Sequence, residues 1–195
     1  MPIRSFIAIA LGEELHRELD RLLRRLQADA PPSAVKWVPA ANIHLTLKFL
    51  GDIQPEQVEP ILAALRREVA DLPPFSFVVE GFGCFPGVRR PRVLWAGVRE
   101  ATGQLQALQM RVERALHPLG FPPEERGFSP HLTLGRVRDG VRPAELREIS
   151  QLIERTQIGQ LGEQAVTSVI LFRSDLRPAG PIYTPLGEAP LSGRR

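Results

Sequence analysis

The tetrapeptide His-Leu-Thr-Leu occurs twice in the chain, at 44–47 and again at 131–134. Alternate side chains of a β-strand point to opposite faces, so each copy places its histidine and threonine together and its leucines on the other side. Histidine accepts or donates a proton near neutral pH, and a threonine hydroxyl can donate a hydrogen bond to a phosphate oxygen. If a pseudo-twofold axis relates the copies, both pairs face one cleft and suit acid–base chemistry on a phosphodiester.

A metal site built on the two histidines is the alternative to this chemistry. No aspartate or glutamate recurs beside the two motifs, so a third ligand of the usual kind is missing. Cys84 is the one cysteine of the sequence, which excludes zinc sites built on paired cysteines and an intramolecular disulfide. The residues therefore favour a site without a metal.

The elements that position the motifs follow from hydrophobic periodicity. Leu15, Leu19, Leu22 and Leu26 lie on one face of a helix predicted over 12–29, and Pro55 and Pro143 are placed to open two more helices. A further helix is expected over 101–117. Strands are expected over 3–10, 43–49, 75–82, 92–98, 131–137, 165–173 and 181–186. Strands interleaved with helices and hairpin-like turns predict an α+β fold.

Composition narrows the class of protein. The 195 residues, 43% hydrophobic and 24% charged, are those of a folded globular chain with one domain or two intimate lobes. No apolar run is long enough for a membrane span, and the N-terminus predicts a strand rather than a signal peptide, so a cytoplasmic protein is expected. We expect a single domain over 1–187 and a flexible C-terminal tail over 188–195.

The charge balance admits nucleic acid without requiring it. Lys and Arg number 25 against 22 Asp and Glu, for a net charge of +3. A nucleic-acid ligand would need positive partners around the cleft, and the candidates are Arg136, Arg126, Lys48 and the arginines of the 89–92 loop. Strict alternation places Lys48 on the His44 face and Phe49 in the core, and it places Arg136 on the leucine side unless the strand bends.

The residues around both motifs resemble the 2H phosphoesterase superfamily, and within it the bacterial and archaeal RNA 2′,3′-cyclic phosphodiesterases, also known as 2′-5′ RNA ligases. Paired His-x-Thr-x motifs mark that superfamily. The segments that match are RSFIAI (4–9), WV (37–38), NIHLTLKFLG (42–51), FSPHLTLGR (128–136), LFRS (171–174) and GPIY (180–183). The resemblance runs from about residue 4 to about residue 186.

The resemblance implies two pseudo-symmetric lobes, each an antiparallel sheet with outer helices, around a central cleft. It implies hydrolysis of a terminal 2′,3′-cyclic phosphate to a 2′-phosphate, without a cofactor. Carried over by motif, His44 is the proton donor to the leaving 3′-oxygen and His131 is the base that activates water. Thr46, Thr133 and Arg136 are expected to bind the phosphate. The expected partner is therefore an RNA or oligonucleotide end, with no membrane and no obligate protein partner.

Three other functions remain open from the sequence. One is 2′-5′ RNA ligation, which is the reverse reaction in the same site. The second is a non-catalytic RNA-binding module that keeps the fold, although both histidines are present. The third is a different substrate, such as a small cyclic nucleotide.

Overall fold

The computed structural model describes residues 1–125, 127–177 and 180–193. Its helices are α1 (Glu13–Asp29), α2 (Val58–Val69), α3 (Gln104–Leu116) and α4 (Pro143–Arg155). Its strands are β1 (Ile3–Ile9), β2 (Val35–Trp37), β3 (Leu45–Ile53), β4 (Phe75–Phe85), β5 (Val93–Arg99), β6 (His131–Val137), β7 (Gln160–Val166), β8 (Ser168–Arg177) and β9 (Gly180–Pro190). The predicted α+β class is confirmed.

The strands form two similar halves that meet at the two motif strands. The order is β7-β4-β5-β6-β3-β1-β8-β9, with antiparallel neighbours throughout and with β2 added beside β6. The first lobe is β3-β1-β8-β9 and the second is β6-β5-β4-β7. They join where Leu45 of β3 pairs with Leu132 of β6. This is the predicted bilobal arrangement, and the junction lies inside both tetrapeptides.

The main core lies between the sheet and the helices. The leucines of both motifs are buried in it together with the apolar faces of α1, α2 and α3. Each fully buried leucine contributes roughly 1.5–3 kcal/mol relative to an exposed one, so these contacts fix which side of each motif strand faces inward. The histidines and threonines are consequently left on the side of the sheet that faces away from this core.

The structure differs from the sequence prediction at several strands. The two strands β2 and β7 were not predicted, because β2 has three residues and β7, with the sequence QLGEQAV, is a largely polar strand at the edge of the sheet. The expected flexible tail over 188–195 begins inside strand β9, and its residues up to 193 are paired or hydrogen-bonded. Strand β9 continues to Pro190, Leu191 is buried, and the Leu191 and Gly193 N–H groups donate to the carbonyls of Thr167 and Leu72. Arg194 and Arg195 lie outside the described residues.

Among the residues that the structure describes, no helix is long and apolar enough to cross a membrane.

Candidate active site

Both motif strands carry a β-bulge just after the threonine. In the first lobe Thr46 pairs with Ala8 and Lys48 with Ile7, so Leu47 is an extra residue in the ladder. In the second lobe Thr133 pairs with Trp95 and Gly135 with Leu94, so Leu134 is extra. A bulge puts two residues of one strand opposite one residue of its partner and shifts the alternation by one position. Each strand therefore changes which side chains face inward, at the same place in both repeats.

The bulge decides where the side chains after each motif point. Gly135 is buried and Arg136 is exposed, so Arg136 lies on the same face as His131 and Thr133. In the first lobe Lys48 is buried and Phe49 is 61% exposed. The strand bend on which the Arg136 prediction depended is thus present.

The same bulge makes two predictions from strict alternation wrong. Phe49 was placed in the core and is exposed. Lys48 was placed at the rim of the cleft, but its Nζ is buried and donates to Glu113 Oε2 at 2.5 Å and to the Pro122 carbonyl at 2.7 Å. Lys48 therefore ties β3 to α3 instead of facing the cleft.

A cavity of about 330 Å³ lies over the junction of the two lobes and is lined by residues from both. It brings together four of the five predicted site residues: His44, Thr46, Thr133 and Arg136. Among the described residues that line it, His131 is not found. His131 is half-buried and lies two residues from Thr133 on the same face of β6.

The register at the junction places each histidine beside the threonine of the other repeat. Because Leu45 pairs with Leu132 in an antiparallel register, the positions that flank this pair set His44 opposite Thr133 and Thr46 opposite His131. Side chains directly opposite each other on one face lie about 4.5–5.5 Å apart at Cβ, and diagonal neighbours about 7–8 Å apart. The two histidines are diagonal neighbours, a spacing that leaves room between them for one small anionic group.

Each imidazole ring is oriented by an equivalent contact with the backbone carbonyl two residues earlier. His44 Nδ1 lies 2.9 Å from the Asn42 carbonyl oxygen, and His131 Nδ1 lies 2.7 Å from the Ser129 carbonyl oxygen. A carbonyl only accepts hydrogen bonds, so in each ring Nδ1–H is the donor. Nε2 of each ring is then the atom left to exchange a proton with a ligand. The Asn42 side chain also donates to the Pro181 carbonyl, at 3.0 Å, which holds the turn before His44 against β9.

The surroundings of the two rings differ. The Phe6 ring stacks on His44 with centroids 4.6 Å apart, and Tyr183 meets it edge-on at 5.1 Å. Burial lowers the pKa of His44 to about 4, an effect that the hydrogen bond to Asn42 opposes. His131 has one close aromatic neighbour among the described residues, Phe85, which meets it edge-on at 4.9 Å.

Two further residues of the site are Arg4 and Tyr183. Arg4 lines the cavity, but one arginine at the start of a strand is not distinctive in a chain with 25 basic residues. Tyr183 also lines it. Burial raises the pKa of the Tyr183 hydroxyl, and the positive charges of Arg136 and Arg4 oppose that rise. Both guanidinium groups therefore act on the same corner of the cavity.

The other predicted cleft cations have separate positions. Arg90 and Arg92 of the 89–92 loop line a neighbouring cavity, to which Arg136 also contributes. Arg126 lies outside the described residues. Within the described ranges, no group of three or more His, Cys, Asp or Glu side chains is arranged to hold a metal ion.

Two similar lobes that meet at a duplicated strand, with His and Thr on one face of each copy, are the arrangement expected of a two-histidine phosphoesterase. The sequence model of the family described as LigT-like phosphoesterase matches residues 9–95 and, a second time, residues 97–183. The chain therefore belongs to the LigT-like phosphoesterase family of the 2H superfamily. The two matches correspond to the internal repeat that carries the two tetrapeptides.

Relatives and solved structures agree with this assignment. The chain is 38% identical to the RNA 2′,3′-cyclic phosphodiesterase of Methanothermobacter thermautotrophicus, over 94% of this chain and 96% of that one. It is 36% identical to the enzyme of the same name from Thermotoga maritima, over 98% and 97%. Among solved structures, the protein TT0787 of Thermus thermophilus superposes with a TM-score of 0.79 at 31% identity, covering 98% of this chain and 100% of that one. Escherichia coli LigT complexed with 3′-AMP gives 0.77 at 27% identity, covering 98% and 99%.

Proposed function

We propose that the protein hydrolyses the terminal 2′,3′-cyclic phosphate of RNA or oligonucleotides to a 2′-phosphate, without a metal ion. The observation that carries this proposal is the pair of imidazoles. Each has Nδ1 held by a backbone carbonyl two residues earlier, and the two motifs meet where Leu45 pairs with Leu132. The names of the relatives support the choice of substrate. We also propose the cytoplasm as the compartment of the reaction.

The two rings divide the proton transfers of the reaction. His131 Nε2 accepts a proton from water as the water oxygen forms a bond to phosphorus. The bond between phosphorus and the 3′-oxygen breaks, and His44 Nε2 donates its proton to that oxygen. The product carries a 2′-phosphate and a 3′-hydroxyl, and a proton exchange with solvent restores both rings. General acid–base steps of this kind contribute typically about 10²–10⁴-fold each.

Thr46, Thr133 and Arg136 bind the non-bridging oxygens in this proposal. Hydrogen bonds to charged groups are worth about 1.5–3 kcal/mol each, and they act where negative charge develops in the transition state. All three side chains line the cavity together with His44. Arg4 lines the same cavity and adds a second positive charge to it.

The donor role of His44 depends on the charge of the substrate. With a pKa of about 4, the ring is neutral in the free protein at pH 7. A phosphate anion in the cavity favours the protonated ring and raises this pKa. The pH profile of kcat reports groups in the substrate complex, whereas that of kcat/KM reports the free protein. We therefore expect the pKa assigned to His44 to be higher in the kcat profile than in the kcat/KM profile.

The deciding experiment is product analysis on an oligonucleotide that ends in a 2′,3′-cyclic phosphate, with EDTA present. The expected product is the 2′-phosphate, at an unchanged rate. Formation of a 3′-phosphate, or a loss of activity that zinc or manganese restores, would contradict the proposed reaction. Binding of the oligonucleotide without turnover would instead support the non-catalytic RNA-binding module.

A further inference from the structure

A second cavity, of about 400 Å³, lies beside the first on the second lobe, and Arg136 lines both. Four arginines contribute to the second cavity: Arg90, Arg92, Arg136 and Arg138. We refer to it as the arginine groove. Asp139 is the acidic residue among the described residues that line it.

The fold holds this groove together through backbone hydrogen bonds. In the loop between β4 and β5, the Arg92 N–H donates to the Phe85 carbonyl at 2.8 Å. The Arg92 carbonyl in turn accepts from the Val137 N–H at 2.9 Å, and the Arg138 N–H donates to the Ala34 carbonyl at 2.9 Å. The loop is thereby fixed to the end of β6. The arginines stand on a fixed backbone rather than on a free loop.

The positive charges of the groove are not neutralised within the described part of the chain. There, none of its four arginines forms an ion pair or donates a side-chain hydrogen bond. Lys36 of β2 is exposed and is registered directly opposite Arg136. Like charges opposite each other on neighbouring strands are destabilising, so this arrangement favours the binding of an anion.

The corresponding position on the first lobe has a different character. There the residues that follow the motif, Lys48 and Phe49, line a cavity together with Glu124 and Glu125. Lys48 is buried against Glu113, so its charge does not face a ligand. A polyanion that leaves the central cavity therefore meets carboxylates on the first lobe and guanidinium groups on the second.

We propose that the arginine groove binds the internucleotide phosphate next to the reacting end of an RNA strand. The proposal rests on the proposed function, and it names the substrate class as an oligonucleotide rather than a mononucleotide. Arg136 joins the two sites. The cyclic phosphate occupies the central cavity, and the strand continues toward its 5′ side over Arg90, Arg92 and Arg138.

The test compares a double variant with a matched control. Arg90→Gln/Arg138→Gln removes two charges of the groove and leaves Arg136 in place. Arg25→Gln/Arg67→Gln removes two exposed charges from the outer helices α1 and α2. For each protein, kcat/KM is measured on cyclic phosphates of one to four nucleotides. Binding of a labelled oligonucleotide with a 2′-phosphate end is measured by anisotropy over a salt series.

For the unaltered protein, we expect kcat/KM to rise at least tenfold from the mononucleotide to the longer substrates. The groove variant should lose most of that gain and less than about twofold on the mononucleotide. Its slope of log K against log salt should fall by about 0.7, since the groove holds one internucleotide phosphate and each phosphate contact of a single strand contributes about 0.7. The control should keep the gain.

Two results would contradict the proposal that the arginine groove binds the strand. One is an equal loss on all substrate lengths, and the other is the same loss in the control variant. The binding series decides the proposal independently of turnover. If the unaltered protein hydrolyses no cyclic phosphate, the proposed function fails, and the salt slopes still show whether the groove holds a strand.

Discussion

The two lobes share a scaffold and differ in what they build on it. Both carry a bulge after the threonine, and both orient their imidazole through a carbonyl two residues earlier. Four and five residues after the histidine, the first lobe has Lys48 and Phe49, and the second has Gly135 and Arg136. Duplication thus explains the paired chemistry, and divergence beyond the bulge explains why the second lobe supplies Arg136 to the cavity where the first lobe supplies Phe49.

The position after the bulge shows the divergence most clearly. A Cβ on Gly135 would lie 2.8 Å from Val35 Cγ1 and 3.0 Å from the Trp37 ring, because β2 packs directly over it. In the described part of the chain no β2-like strand is paired with β3, and Lys48 there extends into the protein to reach Glu113. One lobe closes this space with a strand and the other with a buried ion pair.

The largest effect is expected where the lobes are most alike. His44→Ala and His131→Ala should each lower kcat about 10²–10⁴-fold. The double variant should be little worse than either single variant, since groups that act in one step are not additive. Steady-state kinetics on a cyclic phosphate oligonucleotide measure this. Independent, multiplicative losses would show that the two histidines do not act together in one step.

A substrate with a better leaving group can distinguish the proton donor from the proton acceptor. A substrate whose leaving oxygen needs no proton should strongly rescue His44→Ala and hardly affect His131→Ala. Rescue of His131→Ala instead would exchange the two roles, in keeping with the neutral state of His44 in the free protein. Failure of both variants would show that neither ring is a simple proton donor.

The next effect concerns the buried pair of the first lobe. Lys48→Met should lower the free energy of unfolding by about 3–5 kcal/mol, because it leaves Glu113 largely buried without its cation. Adding Glu113→Leu should restore most of the loss. Arg114→Met, which removes an exposed pair with Glu68 on the same helix as Glu113, should cost no more than about 1 kcal/mol. Denaturant unfolding measures the stability of all three variants. Equal losses in Lys48→Met and Arg114→Met would show that the buried pair of Lys48 stabilises the fold no more than an exposed pair.

The third effect is a pH dependence that belongs to the first lobe. The folded pKa of His44, about 4, lies below its ordinary value of 6.5, so between these values the unfolded chain binds a proton that the folded chain does not. The contribution of His44 to the free energy of unfolding is complete above about pH 6.5. It falls by roughly 3 kcal/mol as the pH drops toward 4. His44→Asn should remove that part of the loss. His117→Asn, at an exposed site, should leave it intact, and identical pH curves for all three proteins would rule out the effect.

Features that depend on side-chain alternation within one strand could be predicted from the sequence. Features that depend on the register between paired strands could not. The shared face of His44 and Thr46, and the buried leucines beside them, follow from a period of two and from burial. The extra residues Leu47 and Leu134 are defined only by the partner strands, so the inward turn of Lys48 could not be predicted. The exposure of Phe49 follows from the same bulge. Strand β7 was missed for a similar reason, because its polar edge sequence has no apolar period to detect.

The smallest effect tests whether the two lobes are geometrically equivalent beyond the bulge. Arg136→Gln should lower kcat/KM by roughly 10–100-fold, since a charged hydrogen bond to phosphate is worth about 1.5–3 kcal/mol. Phe49→Leu keeps an apolar side chain at the equivalent position and should change kcat/KM by less than about threefold, because loss of ring contact removes no charge from the phosphate.

The combined variant makes the comparison decisive. Phe49 and Arg136 line the same cavity from opposite lobes, so an arginine at 49 should reach the phosphate that an arginine at 136 reaches. Phe49→Arg in the Arg136→Gln background should therefore recover part of the lost kcat/KM, mainly through KM. The sum of charges in the cavity is then that of the unaltered protein, which separates position from net charge. No recovery, with the fold intact by circular dichroism, would mean that the second lobe alone is shaped to bind the anion and that the equivalence ends at the bulge.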